Sequence, residues 1–434
     1  MNSILLLLVL FSSAVTGFGA DPEGQSRSIG LGEAMRIAME GSVDVELARI
    51  EVGRAHAGVA SVRAERSARM QAGSGLGATS GIPQSVLGAA PSIAHLTVSQ
   101  PLLDVQQPRA SQRARESARA SEHLARSTAE RSAYGAGVRY LEFELACLEE
   151  RRRLADVTHF AQLERIAEAR VEEGIAVPLT LAGARLETAR ARERHAATRS
   201  RARLLEAELG HALALDPSVR LVPAGLDAQS AARLEDAASS EARDLDDHPD
   251  VAALAAQLTA AQLRVEEARA ERLPKLDIVA QYAVLARFNN YDDYFRRFQR
   301  HNLQAGVAVR VPLFAGRTVA AAVARARLDE RDVLVRHKAK RSALALERRR
   351  SDEVLQEAER RDRLAAQELE YARARLDVTL AQFDEGRVGL ESVLRDRVAE
   401  SAAWGERMAA RFGVAMARLE AVYSSGRISD VLAD

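Results

Sequence analysis

The chain has little cysteine and few aromatic residues. Cys147 is the single cysteine among 434 residues, so no disulfide can form within the chain. Aromatic residues make up only 4%, and the abundance of Ala, Leu, Arg and Glu favours long helices over a compact enzyme core. There is no excess charge of either sign, because 61 basic residues face 61 acidic ones. This balance argues against nucleic acid as the main partner, since nucleic-acid-binding proteins usually carry a basic excess.

Long apolar runs are also scarce, and the one that stands out lies at the N-terminus. The run from Ile4 to Phe11 is followed by small residues. This pattern predicts a secretory signal peptide over residues 1–20, with Asp21 as the mature start, although no Lys or Arg precedes the run. An uncleaved anchor helix is the alternative, for which the run is short. No later segment approaches the ~20 apolar residues of a membrane-spanning helix.

Sequence motifs of enzyme chemistry are missing as well. The nine histidines show neither the H-x-x-x-H nor the H-E-x-x-H spacing of a catalytic zinc site. The glycines from Gly73 to Gly77 lack the Gly-Lys-Ser/Thr of a phosphate-binding loop. His248 and Pro249 are better interpreted as the start of a helix, and Arg348–Arg350 as a solvated helix face. We therefore expect no catalytic residue, no cofactor and no metal.

The most informative feature that is present is an internal repeat. Apolar residues recur at spacings of three and four in two places, and this is the period of one helix face. The two ladders lie 206 positions apart (251 − 45 = 206). The first consists of Val45, Ala48, Val52, Ala55, Val59 and Val62, and the second of Val251, Leu254, Leu258, Ala261, Val265 and Ala268. A chain made of two copies usually builds a pseudo-symmetric object.

Each copy is predicted to contain the same elements in the same order. The first repeat, 21–215, is predicted to begin with a helix from 31 to about 69 that has a break near Gly41-Ser42, followed by strands at about 70–79 and 93–103. A very long helix to about 173, a turn at Gly174–Pro178 and a further helix are predicted to follow. The second repeat, 248–425, is predicted to hold a helix at 249–272, strands at about 276–288 and 303–313, and again a long helix, a tight turn and a helix. A polar connector, 216–247, separates the repeats, and 426–434 form a tail.

The strands of the second repeat alternate strictly between apolar and other residues. One face of the first strand reads Leu276, Ile278, Ala280, Tyr282, Val284, Ala286 and Phe288, and one face of the next reads Leu303, Ala305, Val307, Val309 and Val311. Alternation over about ten residues is typical of a strand that crosses an outer membrane. A half-buried strand of a soluble sheet alternates in the same way, so the pattern alone leaves both interpretations open.

The loop between these two strands concentrates aromatic side chains. An aromatic girdle at the edge of a bilayer would explain them, and a short amphipathic helix packed on its own strands is the alternative. The candidate girdle residues are Phe288, Tyr291, Tyr294, Phe295 and Phe298.

Several segments carry a resemblance to a known family. The clearest are ARAERLPKL at Ala268–Leu276, VRVPLFAG at Val309–Gly316 and FDEGRVGLESVL at Phe383–Leu394, with weaker first-repeat counterparts SQPLLD at Ser99–Asp104 and EEGIAVPLTL at Glu172–Leu181. In order and duplication they resemble the TolC family of outer-membrane efflux proteins over about residues 30–425. The first repeat departs from the pattern, because its first strand is Gly-rich and Ala68-Arg69 replaces the expected Pro-Lys. The N-terminal cysteine of lipidated members is also absent.

The resemblance implies a mainly α fold with a small membrane β part. Three copies would close a 12-stranded outer-membrane β-barrel, because four strands with open edges leave backbone groups unpaired in lipid. A periplasmic α-helical coiled-coil barrel would continue it. The implied function is the outer-membrane channel component of a tripartite efflux pump or type I secretion system in a Gram-negative bacterium. The implied partners are two further copies of the chain, a periplasmic adaptor protein, an inner-membrane pump and outer-membrane lipid.

The periplasmic mouth would lie at the two helix turns. The apolar tips that the resemblance assigns to adaptor docking are Val177, Pro178, Leu179, Val388, Gly389 and Leu390. Opposite charges at a constriction can hold a channel shut, and the gate candidates are Glu172, Glu173, Asp384, Glu385, Arg387, Arg395 and Asp396. Ordinary solvated charges at helix ends are the alternative for each of these residues.

Two other functions remain open from the sequence. One is a soluble periplasmic coiled-coil adaptor, although adaptors carry one hairpin and β-rich flanking domains. The other is a structural scaffold that spans the envelope without conducting. Alternating strands beside an aromatic rim favour a pore over both.

Overall fold

The computed structural model describes residues 26–75, 92–226, 228–240, 244–285, 296, 299–312 and 317–432. The predicted signal peptide lies outside these residues. The helices are α1 (Leu31–Gly41), α2 (Val43–Ala64), α3 (Gln106–Glu172), α4 (Pro178–Ala212), α5 (Ala228–Ser239), α6 (Pro249–Ala270), α7 (Thr318–Asp384), α8 (Leu390–Ser424) and α9 (Ile428–Leu432). The strands are β1 (Ser26–Ile29), β2 (Arg69–Gly75), β3 (Ser92–Leu103), β4 (Arg220–Pro223), β5 (Lys275–Leu285) and β6 (His301–Arg310).

The duplication is visible in the helix lengths. Helices α3 and α7 have 67 residues each, and α4 and α8 have 35 each. Helices α2 and α6 have 22 each. Helix α7 begins 212 positions after α3 (318 − 106 = 212), and α6 begins 206 after α2 (249 − 43 = 206). The offset between the two repeats therefore grows from 206 to 212 between these helices, in the segment that contains the strands.

Two long antiparallel hairpins dominate the fold. Helix α3 packs on α4, and α7 packs on α8. At 1.5 Å per residue, a 67-residue helix spans about 100 Å. Small side chains of α3 are buried in the packing, among them Ala133, Ala136 and Ala146. The break predicted near Gly41-Ser42 lies at Ser42, between α1 and α2. The Ser42 hydroxyl caps α2 by accepting from the Val45 amide.

The strands of both repeats form one antiparallel sheet in the order β2-β3-β5-β6. The two repeats meet at the β3–β5 pair, and β2 and β6 are the edges. Strands β5 and β6 start at Lys275 and His301, against predicted starts at 276 and 303, and β6 ends at Arg310. The predicted ends near 79, 288 and 313 lie outside the described residues.

The connector is more ordered than its composition predicts. Strand β4 pairs in parallel with β1 near the N-terminus, with Ile29 opposite Pro223. Leu221 and Leu234 of the connector are buried in the main core. A four-residue strand has too few residues to show a period, so sequence reasoning missed this pairing.

The apolar interior is divided into two clusters. The main core surrounds Tyr140, Leu141 and Leu209, where the connector and α1 pack on both hairpins. The tip core lies towards the hairpin turns and is made of Phe160, Ala167, Ala184, Ala191, Phe383, Leu390, Val393 and Leu394. It draws on α3, α4, α7 and α8, so both hairpins share it. Each large apolar side chain buried there contributes about 1.5–3 kcal/mol.

Candidate functional site

The sheet has one mainly apolar face and one mainly polar face. The register of its strands places Met70, Leu96, Val98, Leu276, Ile278, Tyr282, Leu303, Val307 and Val309 on the first face. The opposite face carries Arg69, Gln71, His95, Thr97, Lys275, Gln281, Asn302, Gln304 and Arg310. Leu303 is 74% exposed and Met70 68%, although such side chains normally leave water on folding. The apolar face therefore suits lipid, and the other face suits water.

The Gly-rich composition of β2 has a local cause. Gly73 lies opposite His95 in the β2–β3 ladder. A Cβ at Gly73 would lie 2.8 Å from both Cε1 and Nε2 of the His95 ring. Glycine therefore leaves room for the imidazole over the strand, and any larger residue would push the His95 ring aside.

Ion pairs fasten the sheet to the helices beneath it. Lys275 Nζ lies 3.0 Å from Asp104 Oδ2 and donates to Gln106 Oε1 at 2.8 Å. About two turns into α3, Arg113 Nε lies 2.7 Å from Glu267 Oε2 of α6. These bonds hold strand ends and helix starts in one orientation, so the sheet and the hairpins form one continuous body.

The two hairpin turns have the same backbone geometry. Gly174 and Gly386 adopt φ values of 73° and 72°. In the first turn the Ile175 amide donates to the Arg170 carbonyl, and in the second the Arg387 amide donates to Gln382. This is a Schellman motif, whose left-handed position favours glycine. The turn predicted at Gly174–Pro178 is therefore present, with Pro178 as the first residue of α4.

The predicted apolar tips differ between the two turns. Val177 is 60% exposed and Leu179 74% exposed, and Pro178 beside them is also exposed. In the second turn Gly389 is exposed and Val388 half-buried. Leu390 is not an exposed tip residue as the sequence predicts, because it is buried in the tip core with 3% exposure.

The gate candidates separate into exposed and buried residues. Six of them are exposed at the ends of the hairpins, namely Glu172, Glu173, Asp384, Glu385, Arg387 and Arg395. Arg387 donates to Glu385 Oε2 at 3.1 Å within its own turn. Asp396 is buried instead, where it accepts from Thr379 Oγ1 at 2.7 Å and pairs with Arg375 at 2.7 Å. Within the single chain, Asp396 therefore ties α7 to α8.

A buried charge network links the two hairpins between the two apolar clusters. Arg152 of α3 pairs with Glu400 of α8 and lies 3.3 Å from Asp156. Arg153 Nη1 donates to Ser401 Oγ at 2.7 Å, and Ser401 donates to Asp156 Oδ2 at 2.5 Å. We name these five residues the hairpin network. Sequence reasoning missed it, because charged residues on a long helix resemble a solvated face until the partner helix is known.

A second polar junction joins the repeats near the start of α6. His248 caps this helix through its Nδ1, which accepts from the Asp250 amide at 3.2 Å. Asp250 accepts from Ser127 of α3 and pairs with Lys340 of α7 at 2.6 Å. Burial lowers the pKa of His248 to about 4, against the opposing effect of Asp250. The neutral imidazole is thus the form that this junction holds, which agrees with the predicted helix start.

Some predictions cannot be placed. The candidate girdle residues from Phe288 to Phe298 all lie outside the described residues. Among the residues that the structure does describe, no group of His, Cys, Asp and Glu is arranged to hold a metal ion. In that same part of the chain, no helix combines the length and hydropathy needed to cross a bilayer.

Comparison with known proteins found similarity in structure. No family model matches the chain, and no curated protein sequence matches it. The crystal structure of CusC superposes with a TM-score of 0.74 at 15% identity, over 95% of this chain and 95% of that one. The Campylobacter jejuni CmeC outer-membrane channel gives 0.74 at 14% identity, over 91% and 85%. The outer-membrane protein VceC of Vibrio cholerae gives 0.74 at 15%, over 91% and 96%. Over nearly its whole length, the chain has the fold of these outer-membrane channel proteins.

Proposed function

We propose that the protein is the outer-membrane channel of an export system. The observation that carries the proposal is the two-faced sheet joined directly to two hairpins about 100 Å long. Such a body has one end suited to lipid and a shaft long enough to cross the periplasm. Its function is passage and gating rather than bond chemistry, so no residue is assigned a catalytic role.

We further propose that three copies form the conduit. Strands β2 and β6 are the edges of the sheet, and an open edge in lipid leaves backbone groups unpaired at a cost of several kcal/mol each. The strands alternate in direction from β2 to β6, so β6 of one copy is antiparallel to β2 of the next. Three copies would then close a 12-stranded barrel in which every pair of neighbouring strands is antiparallel.

The hairpin ends are proposed as the periplasmic mouth. Val177, Pro178 and Leu179 offer an exposed apolar tip for a periplasmic adaptor protein, which an inner-membrane pump would accompany. The six exposed gate candidates lie around these ends, while the hairpin network holds α3 against α8 further from the turns. A closed mouth would then depend on charges that meet between copies.

The two alternatives fit less well. An adaptor is expected to carry one hairpin, whereas this chain has two of equal length. An envelope scaffold has no need of a sheet with one apolar and one polar face. The scaffold remains distinguishable by experiment, since it would not conduct ions.

Planar-bilayer recording of the purified protein tests the proposed function. We expect discrete conductance steps, and removal of the exposed mouth charges by the double variant Asp384→Asn and Glu385→Gln should change the open fraction. A matched control is Asp236→Asn, an exposed acid on α5 remote from the mouth. A protein that inserts into the bilayer without conducting would contradict the channel and favour the scaffold.

A further inference from the structure

The polar face of the sheet carries few charged residues. Among the described residues of its four strands, the Arg, Lys, Asp and Glu side chains on this face are those of Arg69, Lys275, Asp277 and Arg310. In the barrel proposed above, this face is the wall of a water-filled lumen. The charges on this wall would therefore act on every solute that crosses the outer membrane.

Two of the three cations on this face have an acid within reach. Lys275 Nζ lies 3.0 Å from Asp104 Oδ2, and Arg310 Nη2 lies 3.8 Å from Asp277 Oδ2. These four charges cancel in pairs at the end of the sheet that joins the long helices. Arg69 differs, because its side chain is exposed and no acid among the described residues pairs with it.

The strands on either side of Arg69 supply no acid. Within the protomer, β3 lies beside β2, and its polar-face residues are His95, Thr97, Ser99 and Pro101. In the proposed ring of copies, β6 of the next copy lies on the other side. The polar-face residues of β6 are Asn302, Gln304, Gly306, Ala308 and Arg310. Arg69 therefore keeps its full charge at whatever register the copies pair.

Arg69 also lies apart from the two ion pairs. It is opposite Ser99, which is opposite Val279, four residues beyond Lys275 (279 − 275 = 4). Four residues at about 3.3 Å each place Arg69 about 13 Å along the strands from the ion pairs. The next level of the wall is neutral and consists of Gln71, Thr97, Gln281 and Gln304. Where imidazoles are neutral, Arg69 is thus the one uncompensated charge on the described part of the wall.

Resting on the proposed channel, we propose that Arg69 makes the barrel select anions. Twelve strands about 4.8 Å apart and tilted by about 40° enclose a lumen of about 12 Å radius, and an arginine brings its charge about halfway to the axis. Three such charges about 6 Å from the axis concentrate a monovalent anion there about sixfold at about 0.1 M salt, because the screening length is then about 10 Å. The cargo class that this ring favours is a solute with negative charge.

The proposed mouth carries charge of the opposite sign. Its six exposed gate candidates are four acids and two arginines. The mouth and the barrel act in series, so the selectivity of the whole channel depends on both. The informative quantity is therefore the change in selectivity that follows from a change at Arg69 alone.

Reversal potentials of the full-length protein in planar bilayers measure this change. A KCl gradient around about 0.1 M at about pH 8, where imidazoles are neutral, gives the ratio of chloride to potassium permeability. Arg69→Gln should lower this ratio by at least about twofold, Arg69→Glu should lower it further, and Arg69→Lys should preserve it. The matched control Arg233→Gln removes an exposed arginine of α5 and should leave the ratio unchanged. The differences should shrink at about 1 M KCl, where the screening length is about 3 Å.

Cysteine modification gives a second readout on channels that already conduct. In a Cys147→Ala background, an anionic methanethiosulfonate reagent should lower the chloride preference of Arg69→Cys channels, and a cationic reagent should restore it. Met70→Cys is the matched control, because Met70 is the next residue and lies on the apolar face with 68% exposure. In the bilayer its thiol faces lipid, so neither reagent should change the current.

The outcomes separate the role of Arg69 from the channel itself. A native protein without conductance steps would overturn the proposed channel and this selectivity together. Conducting channels whose permeability ratio is the same with Arg69→Gln would overturn the role of Arg69 and leave the channel intact. An equal response of Arg69→Cys and Met70→Cys channels would also overturn it, because both faces of the sheet would then meet water.

Discussion

Replacing Glu400 by leucine should loosen the joint between the hairpins. The Glu400 side chain is 4% exposed and pairs with Arg152, which is itself 17% exposed. Arg373 and Arg397 each approach it at 3.7 Å. Removing one partner of a buried pair costs about 3–5 kcal/mol, because the other charge stays buried. Arg152 keeps Asp156 at 3.3 Å, so we expect a loss of about 2–3 kcal/mol.

The double variant Arg152→Met with Glu400→Leu should recover most of this loss. Two apolar side chains of similar volume replace a buried ion pair at little net cost, and Asp156 retains Arg153 and Ser401. We expect the double variant to lie within about 1 kcal/mol of the native protein. The two substitutions would then be strongly non-additive, as residues in contact usually are.

Hydrogen exchange of the extracted protein measures both variants. Amides of residues 396–404 report opening of the joint, and those of 416–424, which pack on the main core, serve as the internal control. The reasoning is refuted if Glu400→Leu alters exchange at 396–404 by less than about 1 kcal/mol. It is equally refuted if the stability loss of the double variant equals the sum of the losses of Arg152→Met and Glu400→Leu measured singly.

Three further predictions concern single positions. Gly73→Ala should lower the unfolding temperature in detergent, at a cost of about 1–3 kcal/mol because its Cβ meets an imidazole at 2.8 Å, whereas Gly306→Ala in the same sheet meets nothing within 4 Å and should not. Gly386→Ala, at φ 72°, should destabilise the second turn by about 1 kcal/mol. By the same exchange measurement Gly413→Ala should not destabilise, because it lies inside α8 with open space for a Cβ. The pKa of His248 is about 4 in the fold against an ordinary 6.5. The unfolded chain therefore takes up this proton first, so stability is full above pH 6.5 and falls by about 3 kcal/mol as the pH drops to 4. In chemical unfolding at a series of pH values, His248→Asn should flatten that fall while keeping a helix cap, and an unchanged slope would contradict it.

The sequence predicts the parts of this fold that follow from long-range periodicity. The two ladders beginning at Val45 and Val251 identify the repeat, and alternation in β5 and β6 identifies a two-faced sheet. Both signals extend over many residues, so single exceptions do not hide them. The glycine turns were also predicted, because a left-handed position after a helix leaves few choices of residue.

Features that depend on a partner helix could not be predicted. Arg152 and Glu400 are 248 positions apart, and each looks like a surface charge in its own helix. Leu390 was expected at an exposed tip, yet it faces Phe160 and Phe383 in the tip core. Leu390 is the first residue of α8, and its burial depends on the positions of α3 and α7 beside it, which no local sequence pattern shows.

The mass of the detergent-extracted protein tests the central claim most directly. The protein would be recovered from the outer-membrane fraction and its detergent-corrected mass measured by light scattering. The account predicts three times the mass of the mature chain. A monomer or dimer recovered from the soluble periplasmic fraction would contradict the account. The two-faced sheet would then be an ordinary half-buried sheet of a soluble protein.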